Sequence, residues 1–124
     1  MYTDDQIADL YDVLGPWAKS DDFYLNLVMD APSVLDVGCG TGMQLHRARE
    51  AGHTGRLVGI DPDPSMLRIA RRYPDIDWLD GTAASMTFAG EFDLAIMMGH
   101  AFQVLITDDD VRASLAAIKR ASIA

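Results

Sequence analysis

Apolar positions along this chain change their period several times, and each change marks an element. Ser33–Val37 is a short, nearly unbroken apolar run and reads as a strand. Met43–Ala51 shifts to helical spacing, which sends Leu45, Ala48 and Ala51 towards a core. Arg56–Ile60 gives a second strand. Asp63 then stands where a helix N-cap belongs, with Pro64 at the first helical position, where a missing N–H costs nothing. The helix that follows places Met66, Ile69, Ala70 and Tyr73 on one apolar face, until Pro74 stops it. Asp75–Leu79 predicts a third strand and Phe92–Met98 a fourth. The apolar run from Leu94 to Met98 suits a central parallel strand covered on both faces by helices. Thr107 followed by Asp110 has the form of a capping box, and Val111, Leu115 and Ile118 give the last helix its buried stripe.

Strands alternating with helices from residue 33 onward predict an α/β fold with a parallel sheet and right-handed crossovers. Residues 1–32 follow a different pattern. Ile7, Leu10, Tyr11 and Leu14 form one amphipathic helix, broken at Gly15-Pro16, and Phe23, Leu27 and Val28 suggest another. The expected organisation is therefore one domain over residues 1–124, with N-terminal helices in 1–32 and a core in 33–124. Helices placed before the first strand must pack on the sheet or form a lid over its ligand end.

Composition narrows the choice of partner. The chain has 124 residues, 49% hydrophobic and 23% charged, which suits one soluble globular domain. A formal net charge of -9 repels phosphate backbones and anionic membranes, so neither nucleic acid nor a membrane surface is an expected partner. Arg68, Arg71 and Arg72 read as a solvated helix face. A single cysteine, Cys39, permits no internal disulfide. The acidic start lacks the form of a signal peptide, and no apolar run reaches the roughly 20 residues that span a bilayer. The expected compartment is the cytoplasm. His46 and His53 read as surface residues, and no histidine pair has metal-ligand spacing, so no metal site is expected.

The candidate chemistry sits in "VLDVGCGTG", residues 34–42. A glycine-rich turn between a parallel strand and its helix lets backbone approach a ligand and aims free N–H groups at negative charge. By itself that pattern also fits a tight turn with nothing bound. Three features discriminate further. Asp36 would bring a carboxylate against a pyrophosphate, which is unfavourable unless the ligand also carries positive charge. The third glycine of the dinucleotide fingerprint would fall on Met43. Asp61 ends the second strand, 23 residues after Gly38, where a carboxylate can accept both hydroxyls of a ribose. A ligand with a ribose and a positive charge but no phosphate fits better than a dinucleotide.

On these residues the chain resembles the class I S-adenosylmethionine-dependent methyltransferases, from Val34 to about Arg120. "VLDVGCGTG" looks like the family's first motif and "GIDPDPSML" like its second strand and following helix. "LDGTAASM" is similar to the loop that holds adenine, and "FDLAIMMGHAFQVL" to the fourth strand and its active-site end. The resemblance implies a Rossmann-like sheet, with strand order 3-2-1-4 over the strands present. It implies that Gly38, Cys39 and Gly40 wrap the methionine and ribose, that Asp36 helps hold the ammonium, and that Asp61 takes the ribose hydroxyls. Pro62 and Met66 would lie near the adenine face, with Gly81, Thr82 and Ala83 in the adenine loop. Thr82 stands where many relatives carry an aspartate, so its bond to the adenine amino group would lack charge.

The implied activity is methyl transfer from S-adenosylmethionine to a small-molecule acceptor. His100, just past the fourth strand, is the candidate base, and hydrogen bonding to the next turn is the competing role. Tyr11 and Trp17 are lid candidates, with plain helix packing the stronger reading. The family's chain would continue into a fifth strand where this one ends in "SIA", which reads as a truncated or minimal form. A cofactor-binding but inactive module and a nicotinamide-dinucleotide half-domain are the alternatives, the second disfavoured by Asp36 and Met43. The open edge of the fourth strand is expected to pair with a second copy or a partner, or to be covered by the N-terminal helices.

Overall fold

A computed structural model describes residues 3–6, 19–97 and 108–123. The order of elements is α1 (Lys19–Asp30), β1 (Ser33–Val37), α2 (Met43–Glu50), β2 (Arg56–Asp61), α3 (Pro64–Ala70), β3 (Asp77–Asp80), a 3-10 turn (Ala83–Ser85), β4 (Leu94–Met97) and α4 (Asp108–Ala121). The four strands form one parallel sheet in the order β3-β2-β1-β4, the Rossmann-like arrangement expected. Register sets Asp36 between Gly59 of β2 and Ile96 of β4, and Gly59 opposite Trp78 of β3.

Alternation along β1 and β2 builds a separate core on each face of the sheet. Leu35, Val37, Val58 and Ile60 pack with Ala83, Met86, Phe92, Ala117 and Ala121. Val34, Leu57 and Ile96 pack with Val28, Leu45, Ala48 and Ile76. Beside β4, Phe92 bridges Ser122 in parallel, and Ile123 N donates to Phe92 O at 2.9 Å.

Several predicted details shift. The last helix turns Ser114, Ala117 and Ala121 inward, while Leu115 is 48% exposed and Ile118 only borders the core. Small residues let α4 lie close to the 3-10 turn at Ala83–Ser85, so the stripe of larger residues misled. In α1, Val28 is buried, whereas Phe23 and Leu27 are exposed, and Tyr24 and Leu25 take the inner face instead. Helix α3 ends at Ala70, before Pro74, because Arg71 N and Arg72 N turn back to Leu67 O and Ile69 O. Its largest fully buried side chain is Leu67, missing from the predicted face, and Ala51 lies exposed just beyond α2. The third strand starts two residues later than predicted, at Asp77, after Ile76 has gone into the core.

His53 is a buried residue, not a surface one, at 7% exposure. Gly55 N donates to its Nδ1 at 3.0 Å, so its Nε2–H donates to Ala31 O at 2.7 Å. Arg49 adds bonds to His53 O and Gly55 O at 2.7 and 2.9 Å and an ion pair to Asp75 at 2.8 Å. The first N-terminal helix, Thr107, His100, Tyr11 and Trp17 lie outside the described residues. Among the described residues, no helix is long and apolar enough to cross a membrane.

Candidate functional site

The carboxyl ends of β1 and β2 gather most of the residues singled out from sequence. Extended chain ends at Val37, and the turn that follows is fastened to β2. Gly38 N and Cys39 N both donate to Ile60 O, at 2.8 and 3.1 Å. Gly40 N donates to Asp61 Oδ2 at 2.9 Å, and Gly42 N to Cys39 O at 3.0 Å. Thus the amides of Gly38, Cys39, Gly40 and Gly42 are already bonded inside the protein. A pyrophosphate would need those groups free and aimed outward.

Gly40 has φ +59, a left-handed conformation that disfavours side chains, and a Cβ built there would meet nothing within 4 Å. The turn is therefore open on the Gly40 side, and a ligand can approach its backbone closely. Asp61 anchors both the turn and the next helix, since its Oδ1 accepts from Asp63 N at 2.8 Å. Asp63 in turn caps α3 by accepting from Ser65 N at 2.9 Å, with Pro64 following as predicted. Each Asp61 oxygen keeps lone pairs beyond these bonds, so hydroxyl groups of a ligand can still donate to it.

Asp36 is 3% exposed, and burial, with the nearby Asp61 carboxylate as a smaller cause, pushes its pKa up to about 7. Burial, reinforced by Asp36 and Asp61, also pushes the Cys39 thiol well above its usual range, so it is a poor nucleophile and acts as a small filler. Among the described residues, neither aspartate has an ion-pair partner. Two neighbouring carboxyl groups without a cation form a site suited to a positively charged ligand.

The adenine-loop candidates lie beside this pair. Gly81 N donates to Asp61 O at 3.1 Å, which brings the loop after β3 against the end of β2. Thr82 is exposed, and its backbone N–H bonds Ser85 Oγ at 2.9 Å. Ala83 differs from expectation: its side chain is 3% exposed and lies in the core with Val58 and Ile60. Pro62 is exposed and Met66 half-buried, on the stretch that leaves Asp61.

Sequence reasoning passed over Trp78 and Gly59, and it gave Gly42 a place in the glycine turn without its contact to Trp78. Trp78 lies across Gly59, and a Cβ at Gly42 would fall 2.5 Å from the indole. The available signal was a glycine inside β2, at the register of an aromatic on the next strand. A separate cavity of ≈ 570 Å³ opens along β3, lined by Arg56, Val58, Ile76, Leu79 and Phe88 among others. Trp78 also lines it, but neither Asp36 nor Asp61 and none of the glycines of the turn does.

A family model described as a methyltransferase domain matches residues 34–122. The 2-phytyl-1,4-naphtoquinone methyltransferase of Thermosynechococcus vestitus is 35% identical over 117 residues, 82% of this chain and 51% of that protein. Among solved structures, Streptomyces venezuelae DesVI superposes with a TM-score of 0.79 at 24% identity, covering 98% of this chain and 54% of that one. The SAM-bound amino pentose methyltransferase CalS10 of Micromonospora echinaspora superposes with a TM-score of 0.76 at 25% identity, covering 98% and 53%. The chain spans about half the length of these relatives.

Proposed function

This chain belongs to the methyltransferase-domain family, and from that premise we propose that it binds S-adenosylmethionine and transfers its methyl group to a small-molecule acceptor. The observation that carries the reading is the inverted charge of the glycine turn. Its amides are bonded within the protein, while the carboxyl groups of Asp36 and Asp61 face the same end of the sheet. Such a site suits an ammonium and a ribose and repels a pyrophosphate. The same point disfavours the nicotinamide-dinucleotide alternative.

The residues present fit the cofactor. Gly38, Cys39 and Gly40 would lie against its methionine and ribose, over the open side of Gly40. Asp61 would accept the ribose hydroxyls, and Asp36 would face the ammonium. Pro62 and Met66 would flank adenine, with Gly81, Thr82 and the backbone of Ala83 on its other side. When bound, the cofactor supplies a sulfonium methyl group that is open to in-line displacement. The protein's own work is alignment and exclusion of water, which makes a dedicated catalytic side chain optional. His100, placed by sequence just past β4, is the candidate to take a proton from the acceptor.

The choice of a small acceptor rests on the acidic net charge of -9 and on the quinone and amino pentose methyltransferases among the similar proteins. The cytoplasm is the proposed compartment, on the single cysteine. Pairing with a second copy along β4 belongs to the same proposal, because the described strands leave its outer edge without a full neighbour.

Equilibrium dialysis with labelled S-adenosylmethionine, followed by a panel of quinols and amino sugars, tests the reading. Retention of label and its transfer to an acceptor support it. His100→Ala should then slow transfer about a hundredfold while label is still retained. Absence of any retention overturns it.

A further inference from the structure

The turn that holds the ligand rests on something, and that support comes from the far edge of the sheet. Trp78 lies on β3, in register with Gly59 of β2. A Cβ at Gly59 would fall 2.6 Å from two atoms of the indole ring and 2.9 Å from Cys39 Sγ. The ring therefore crosses β2 at the one place where that strand has no side chain. Beyond it lies Gly42, the residue that caps α2 with φ +81. A Cβ there would meet the indole at 2.5 and 3.0 Å and His46 Nε2 at 2.9 Å.

The ring is fixed in place on several sides. Its Nε1–H donates to Tyr73 O at 3.0 Å. His46, in the first turn of α2, meets it edge-on at 5.5 Å and stacks on Tyr73 at 4.0 Å. His46 Nε2 also lies 2.9 Å from Ala70 O, at the end of α3. The glycines of the turn thus divide their work. Gly40 faces open space, whereas Gly42 faces the indole.

We infer that Trp78 is a positioning residue: it props the Gly38–Gly42 turn from beneath and so sets how well the turn receives its ligand. Stated for S-adenosylmethionine, this rests on the cofactor reading above. The prop itself does not, because its contacts exist without a ligand. Loss of the ring would let the turn sag towards β2, and a small displacement of a binding element is costly in affinity.

Amide exchange in the ligand-free protein and binding of S-adenosylhomocysteine are measured together for Trp78→Leu, Trp78→Phe, Gly59→Ala and the Trp78→Leu/Gly59→Ala double variant. Trp78→Leu should speed exchange at Gly40, Gly42 and His46 and leave Leu35 and Val58 unchanged. Its affinity should fall about tenfold, with Trp78→Phe intermediate. Gly59→Ala should weaken binding alone, by driving the indole into the turn, yet cost clearly less once Trp78 is leucine, when only the 2.9 Å approach to Cys39 Sγ remains. Uniform acceleration of exchange across the sheet would make Trp78 an ordinary core residue and overturn the inference, as would unchanged exchange at the turn. Should Trp78→Leu fail to fold, Trp78→Phe and Gly59→Ala carry the same outcomes. Should the parent protein not bind S-adenosylhomocysteine, the cofactor reading falls and the exchange pattern alone decides for or against the prop.

Discussion

At the amino ends of β1 and β2, polar side chains drawn inward are bonded and charge-paired, and at the carboxyl ends of the same strands two acidic ones have no cation among the described residues. His53 uses both ring nitrogens, and Arg49 binds two carbonyls and Asp75 around it. At the other end, Asp36 is buried beside Asp61 with no cation among the described residues, and its carboxyl is pushed up to about 7. Burial is comparable at the two ends; what differs is charge, because Asp61 accepts two backbone N–H bonds while neither carboxyl group is balanced by a cation among the described residues. Acidic charge left unbalanced at one rim of the sheet is the form that a site for a positively charged ligand takes.

The largest effect should come from removing the carboxylate that serves both turn and ligand. Asp61→Ala strips the acceptor from Gly40 N and Asp63 N and from the proposed ribose hydroxyls. Affinity for S-adenosylhomocysteine should fall by about 2–4 kcal/mol in calorimetry, from more than one hydrogen bond to a charged group. An affinity unchanged by that substitution would remove ribose from the site.

The amino end offers the converse. His53→Ala leaves Ala31 O and Gly55 N without their ring partners and should lower folding stability by about 2 kcal/mol in urea titration. Ligand affinity should hold, below the melting transition. A loss of affinity comparable to that of Asp61→Ala would erase the distinction between the two ends.

Asp36 gives a dependence on pH with a definite sign. Its pKa is raised from 3.8 to about 7 in the fold, so the native state holds a proton that the unfolded chain has lost between those values. Stability from this group is full below about pH 4 and is lost as pH rises through about 7. Asp36→Asn should therefore stabilise the ligand-free protein at pH 8 by on the order of 1–2 kcal/mol, and much less at pH 5. Thermal melts at the two pH values check it; equal shifts at both would contradict the buried, unpaired carboxyl.

The smallest effect belongs to the surface. Arg56 and Glu91 pair at 3.1 Å, but both are well exposed. Glu91→Gln should change stability by less than about 0.5 kcal/mol and leave binding alone. A larger loss would mean that the Arg56 guanidinium, 4.8 Å from the Phe92 ring centroid, depends on that pair for its place.

What the sequence disclosed follows from which signals are local. The strand Ser33–Val37, the Asp63-Pro64 helix start and the turn at Gly38–Gly42 are written in neighbouring residues, and all three are present. Asp36 and Asp61 were legible because strand ends in a parallel sheet converge. Burial of His53 was not, because its partners Ala31 O and Gly55 N are backbone groups that no side-chain pattern reports. The inward face of α4 was misread because close approach to the 3-10 turn favours Ser114, Ala117 and Ala121 over the larger Leu115. Trp78 escaped notice because its role depends on two glycines, one on the neighbouring strand and one across the sheet.

Calorimetric titration with S-adenosylhomocysteine at pH 6 and pH 8, in buffers of different ionisation enthalpy, tests most directly whether the carboxyl end is built for a cation. An arriving ammonium favours the ionised form of Asp36, so binding should be tighter at pH 8 and should release protons near pH 7. Asp36→Asn should abolish both effects, and NAD should not bind under either condition. Binding that is indifferent to pH and to Asp36, or NAD binding as tightly as the nucleoside, would contradict it.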